Sequence, residues 1–171
     1  ETAGPALEAL QTASRASWES YHESGNPALV FSFDGDPQSV RDLEAAWPER
    51  DPEVAWALDT LEETLEINRL WSAGRGWESN ARRAGLLRSN FLRPWRRPEI
   101  AGRSPRVMAK FGASHMERGL NSVGTFDLGS LLPELAAIRG ERAFSILVLA
   151  GTDSLTAVFD PVRWTYRPAP P

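Results

Sequence analysis

The stretch that decides the fold is Pro105–Gly129, PRVMAKFGASHMERGLNSVGTFDLG. It predicts a short apolar strand, a glycine-bearing loop and the start of a helix, in that order. The loop contains His115, and Lys110, the single lysine of the chain, stands at the end of the strand. Open α/β sheets bind ligands at the carboxyl ends of their strands. We therefore expect the ligand-binding or catalytic residues to lie in this loop.

A second apolar run supplies the rest of a βαβ unit. The runs Arg106–Phe111 and Ala143–Ala150 flank a predicted helix over residues 130–140, and these lengths suit two parallel strands with a right-handed crossover. Neither run alternates apolar and polar residues, as is typical of strands covered on both faces. Leu155–Phe159 is a candidate final strand, and Arg167–Pro171 is predicted to be a frayed tail.

The preceding residues, 1–104, have apolar positions at helical spacing and predict a mainly helical region that wraps or lids the sheet. Helix starts are marked at Asp36-Pro37 and Asp51-Pro52, where a capping carboxylate precedes a proline suited to the first helical position. The predicted fold class is therefore α/β, with a helical N-terminal half followed by the βαβ unit over residues 105–171. Since two or three parallel strands are too few for a stable sheet, we expect a larger, mostly parallel sheet. A further N-terminal segment or a partner chain would complete it.

Composition excludes several classes of protein. Hydrophobic residues make up 42% and charged residues 25% of the 171 positions, as in a globular domain. The formal net charge of −4 argues against general nucleic-acid binding. No apolar run approaches the ~18–20 residues that cross a bilayer, so no membrane span is predicted. The absence of cysteine excludes disulfides, thiolate catalysis and a cysteine-based zinc site, and no pair of histidines has the spacing of metal ligands.

Three loop residues are candidates for binding or catalysis. An imidazole exchanges protons near neutral pH, so His115 suits a general acid or base, although a loop histidine bonded to backbone has the same pattern. Lys110 suits an anion or oxyanion holder, or a solvated residue at a strand end. Asn121 is a candidate for binding a small-molecule ligand or substrate, and Asp127 for capping a helix or orienting a neighbour.

A preceding helix adds two more candidates. Arg83, Leu87 and Asn90 stand at i, i+4 and i+7, and they therefore share one helix face. An arginine and an asparagine on a stripe with leucine suggest polar groups turned towards a pocket. A partly exposed stripe with an ordinary structural arginine is the alternative.

The order of these segments resembles the C-terminal half of erythromycin-esterase-like proteins, which share a broad superfamily with haem-binding iron-regulated lipoproteins and TraB-type proteins. In that family a helix carries an arginine followed seven residues later by asparagine, as Arg83 and Asn90 do here. His115 matches the family's loop histidine, Gly129 its helix-start glycine and Asp153 its closing aspartate. The resemblance covers residues 79–160, in the segments SNARRAGLLRSNFL, PRVMAKFGASHMERG, FDLGSLLPELAAIRG and TDSLTAVFD.

The resemblance implies hydrolysis of an ester or lactone, with His115 as acid/base or orienting group and Arg83 as a catalytic partner. The chain departs from the family in two places. Only the second histidine of the family's His-Asn-x-His pair is present, and the single Gly-Glu, Gly140-Glu141, lacks the histidine of the family's Gly-Glu-x-x-His element. With two histidines in all, the chain would form only one wall of the pocket.

Two rival functions follow from the same features. The missing catalytic half and the haem-binding relatives favour a non-catalytic module for haem or another large apolar ligand, with the tryptophan-rich helices as its lid. The arginines between residues 82 and 106 favour an interaction domain that docks on another subunit, or else a solvated helix face.

Overall fold

A computed structural model of the protein describes residues 3–97, 103, 106–148, 151, 156–160 and 165–169. Helices dominate this part of the chain, and its sheet is a two-stranded antiparallel hairpin. The chain divides into two compact units. The first comprises Glu1–Leu65 with Leu147–Pro171, and the second comprises Glu66–Ile146.

The elements follow one another with short connections. The helices are α1 (Gly4–Ser24), a 3₁₀ turn (Pro27–Leu29), α2 (Phe31–Asp34), α3 (Pro37–Ala46), α4 (Pro52–Ser72), α5 (Gly76–Trp95), α6 (Ala113–Met116) and α7 (Leu128–Ile138). The strands are β1 (Thr156–Asp160) and β2 (Thr165–Ala169). None of the described helices combines the length and the apolar character needed to cross a membrane.

Both helix starts expected from aspartate-proline pairs are confirmed. The Asp36 carboxylate accepts a hydrogen bond from the backbone N–H of Gln38 at 2.8 Å, and the Asp51 carboxylate accepts one from Glu53 at 2.7 Å. In each case the following proline is the first residue of the helix. The caps form as predicted because all of their partners lie within three residues in sequence.

The first unit has an apolar core between α1, α3 and the first half of α4. α1 packs against α3, and an ion pair of 2.7 Å between Arg41 and Glu62 joins α3 to α4 at the surface. Trp47 and Phe31 pack around the edge of the core. Its buried side chains are Leu10, Val40, Leu43, Leu58 and Leu65.

The second unit contains α5, α6, α7 and the end of α4. The Ser79 hydroxyl, completely buried, donates to the carbonyl of Ile67 at 2.9 Å and so ties the start of α5 to α4. α7 contacts both α5 and α6. The apolar side chains buried here are Ile67, Leu70, Ala84, Leu128 and Leu131.

The predicted βαβ unit, and with it the α/β fold class, is wrong for the described residues. The segments 106–111 and 143–148 form no regular secondary structure, and the described sheet is antiparallel rather than parallel. Their apolar side chains stay in solvent: Met108 is 93% exposed and Phe144 82% exposed. A strand needs a hydrogen-bonded neighbour, and the described part of the chain supplies none to these segments.

The end of the chain also differs from expectation. Of the predicted final strand, the described residues 156–159 lie in β1, but the neighbour of β1 is β2, whose residues 167–169 were predicted as part of a frayed tail. Helix α7 begins at Leu128, two residues before the predicted start, and Asp127, a predicted capping residue, is its N-cap. Gly140 has the left-handed backbone, φ 70°, expected just after the helix.

The core of the first unit makes a stability prediction. Leu43 is 1% exposed, so Leu43→Ala should lower the free energy of unfolding by about 2–5 kcal/mol through lost burial and the cavity left behind. Leu7→Ala is the matched control, because Leu7 lies on α1 and is 37% exposed, and it should cost no more than about 0.5 kcal/mol. Urea denaturation followed by circular dichroism measures both. Equal losses in the two variants would contradict the assignment of this core.

Candidate functional site

The second unit pairs His115 with Asp127. The Nδ1 atom of His115 lies 2.6 Å from Oδ2 of Asp127. The aspartate side chain is 1% exposed, whereas that of the histidine is 25% exposed. A buried carboxylate is stable only where hydrogen bonds replace its water, and this imidazole supplies one of them.

The other carboxylate oxygen of Asp127 caps helix α7. Oδ1 accepts the backbone N–H of Leu128 at 2.7 Å, while Oδ2 contacts the imidazole. The positive end of the helix dipole also favours a negative charge at this position. One side chain therefore begins the helix and holds the histidine.

The dyad fixes the tautomer of His115. An ionised carboxylate can only accept, so the proton of a neutral imidazole sits on Nδ1, and Nε2 carries the lone pair. Within the described residues, Nε2 makes no hydrogen bond. Nε2 is thus available to accept a proton from a bound molecule.

A close backbone approach at Gly129 brings the two residues together. A Cβ built on Gly129 would lie 2.3 Å from the carbonyl oxygens of both Met116 and Glu117. That distance is far below van der Waals contact, so only glycine lets the end of α6 rest on the first turn of α7. Because His115 is the third residue of α6, this contact sets its distance from Asp127.

Asn121 holds the connecting loop from inside. Asn121 is only 5% exposed. Its Nδ2 donates to the carbonyl of Ser114 at 2.9 Å, and its Oδ1 accepts a hydrogen bond from the N–H of Thr125 at 2.7 Å. The amide predicted to bind substrate is therefore engaged at both ends within the protein. It supports the residue that precedes His115.

The outer part of the loop is closed by further polar contacts. The Glu117 carboxylate accepts the N–H and the hydroxyl of Ser122, at 2.6 and 3.0 Å. Gly124 has φ +77°, and a Cβ there would lie 2.0 Å from the indole of Trp77, so the loop meets α5 at a position open only to glycine. These contacts fold residues 117–127 back on themselves.

Arg83 and Asn90 do share one side of α5, but the structure does not bring Arg83 to the dyad. The Nη2 atom of Arg83 donates instead to Oδ1 of Asn68 on α4, at 3.4 Å, and its Nε is buried without a partner among the described residues. Asn90 is half-buried and has an interaction of its own. The arginine that reaches the loop is Arg88, whose Nη1 donates to the carbonyl of Phe126 at 3.3 Å.

Sequence reasoning did not single out Arg88, and one pattern could have found it. Arg88 lies one helical turn after Ala84, a buried alanine of α5. Residues four apart share a helix face, so Arg88 lies on the side of α5 that packs against the rest of the unit. Lys110 is exposed and makes no hydrogen bond or ion pair with the described residues. It precedes Gly112, the N-cap residue of α6, by two positions.

A surface groove lies elsewhere in the second unit and does not include the dyad. It has a volume of ≈ 300 Å³ between the end of α4 and the start of α5. Hydrogen bonds from Arg69 and Arg75 lower the pKa of Glu66 and Glu78, respectively, so these carboxylates stay ionised and are poor acids. Among the described residues there is also no group of three or more potential metal ligands. The dyad is the better candidate site, and its histidine is in part open to solvent.

The approach at Gly129 generates a testable prediction. Gly129→Ala should push α6 away from α7, destabilise the protein by about 1–3 kcal/mol and separate His115 from Asp127. Gly85→Ala is the control: Gly85 lies within α5, its Cβ would meet nothing within 4 Å, and alanine there should stabilise by about 0.5–1 kcal/mol. Urea unfolding and the NMR signals of the His115 ring measure the two effects. An unshifted ring signal in Gly129→Ala would contradict the role given to this contact.

Comparison of the chain with protein-family models, with curated proteins and with solved structures finds no match. The resemblance to erythromycin-esterase-like proteins therefore rests on the motifs quoted above. The candidate site rests on its own geometry, which is a histidine held by a buried aspartate at the start of a helix.

Proposed function

We propose that the chain is the C-terminal part of an esterase-like hydrolase and that His115 is its acid/base group. The observation that carries the proposal is the 2.6 Å contact between the imidazole and the nearly inaccessible Asp127 carboxylate. This pairing fixes the tautomer, orients the ring and stabilises the imidazolium that forms when Nε2 takes a proton. The resemblance adds the substrate class, an ester or lactone.

The chemistry needs one proton to move twice. Nε2 of His115 takes a proton from a water molecule as its oxygen attacks the ester or lactone carbonyl. When the tetrahedral intermediate collapses, the imidazolium returns that proton to the leaving alkoxide and the carbon–oxygen bond breaks. The histidine is then neutral again, and an acid and an alcohol have formed.

Of the other candidate residues, Lys110 has a proposed role in this reaction and Arg83 has none. Lys110 lies three residues before the first residue of α6 and is exposed, so it is the proposed holder of the developing oxyanion. Arg83 does not enter this step, because its described hydrogen bond is to Asn68. The family's other catalytic element would come from a further N-terminal segment or a partner chain.

One exposed segment favours a second role in protein association. In residues 143–148, Phe144, Ile146 and Val148 are 82%, 78% and 87% exposed, although all three are strongly apolar. Contiguous apolar surface of this kind marks interaction sites in soluble proteins. We propose that a second copy of the chain covers residues 143–148.

The hydrolase proposal is tested with p-nitrophenyl acetate. His115→Ala should lower the rate about 100-fold, because the general base is lost, and Asp127→Asn should lower it because the tautomer is no longer fixed. His22→Ala is the matched control, since His22 is the other histidine and is exposed on α1. Hydrolysis no faster than that by free imidazole at equal concentration, or unchanged in His115→Ala, would contradict the proposal.

The association proposal is tested by light scattering. The chain alone should self-associate through residues 143–148, and Ile146→Lys should shift it towards monomer because a charge opposes burial of the segment. Ala9→Lys adds the same charge to the exposed surface of α1 and should leave the mass unchanged. A wild-type chain that is monodisperse and monomeric would count against this second role.

A further inference from the structure

Phe111 and Gly112 border the reactive edge of the dyad histidine. The ring of Phe111 stands edge-to-face to the imidazole of His115, with centroids 6.4 Å apart and planes at 69°. A Cβ on Gly112 would lie 3.8 Å from Cδ2 of His115, the ring carbon bonded to Nε2. The ring carbon next to Nε2 therefore lies beside Gly112, and the Phe111 ring stands against the same imidazole.

The opposite edge of the imidazole is closed. Nδ1 points to Asp127, which is 1% exposed and packed at the start of α7. Phe111, in contrast, is 43% exposed. A molecule that reaches Nε2 thus meets the partly exposed, apolar ring of Phe111 beside the imidazole.

The neighbours of Phe111 set the character of this surface. Val107 and Met108, a few residues earlier in the chain, are 49% and 93% exposed, so the segment that leads to Phe111 carries further exposed apolar side chains. Lys110 is the one charged side chain between them and Gly112. A substrate with a carbonyl at the histidine and an apolar tail directed away from it matches this order of groups.

We infer that Phe111 is a specificity-determining residue that packs against the acyl chain of the substrate. The substrate class is esters of aliphatic carboxylic acids with several methylene groups, in preference to acetates. This inference rests on the proposed function, and it adds the identity of the group that is transferred. The tail gains by leaving water for the Phe111 ring, and acetate has no tail to gain from it.

The test compares p-nitrophenyl hexanoate with p-nitrophenyl acetate. Wild type should favour hexanoate by about tenfold in kcat/KM, which is the discrimination that a few methylene groups give at an open apolar surface. Phe111→Ala should bring that ratio close to one, and Phe111→Leu should restore most of it. Leu7→Ala, the matched control, should keep the wild-type ratio, because Leu7 is a comparably exposed apolar residue (37%) that lies on α1 and not on this segment. The same ratio in wild type and Phe111→Ala would overturn the inference.

A binding measurement separates this inference from the proposed function. Hexanoate and acetate are titrated into each variant while the NMR signals of the His115 ring are followed. If no ester is hydrolysed but hexanoate, unlike acetate, shifts these signals in wild type and fails to do so in Phe111→Ala, the hydrolase proposal fails and the apolar subsite stands. If hexanoate and acetate act alike on wild type, the subsite is disproved.

Discussion

The second unit depends on one buried carboxylate. Asp127 uses one oxygen to begin α7 and the other to hold His115, and neither task leaves it in contact with water. Burial makes both contacts stronger than they would be at the surface, because few competing donors reach the group. The start of α7 and the orientation of His115 therefore depend on the same side chain, and removing this carboxylate would disturb both.

The two units are stabilised in different ways. The first unit has a conventional apolar core built from leucine and valine side chains. In the second unit several of the most buried residues are polar, among them Asn68, Asn121, Thr125 and Asp127. Each buried polar group needs a hydrogen-bond partner. The loop of this unit can therefore adopt fewer arrangements than a loop packed by apolar contacts alone. Such a requirement suits a site whose geometry has to be held within a fraction of an ångström.

Features that depend on near neighbours in sequence were predictable. The caps at Asp36 and Asp51 involve partners two residues away, and both formed as expected. The absence of strands at 106–111 and 143–148 was not predictable, because a strand forms only where another strand pairs with it, and the composition of a segment does not show whether such a partner exists. The same limit applies to the site: His115 was a candidate by type and place, but its partner lies twelve residues on. Only the close approach at Gly129 decides that they meet.

The contact between Gly124 and Trp77 places a fluorescent side chain against the loop. The indole is 62% exposed, yet its far edge lies where any side chain at position 124 would stand. The quantum yield of tryptophan fluorescence depends on the polar groups and water around the ring. A loop that lifts away from α5 would change the surroundings of this one indole, so the difference in emission between the protein and a Trp77→Phe variant, a subtraction that removes the signal of the other six tryptophans, would report such a movement beside His115.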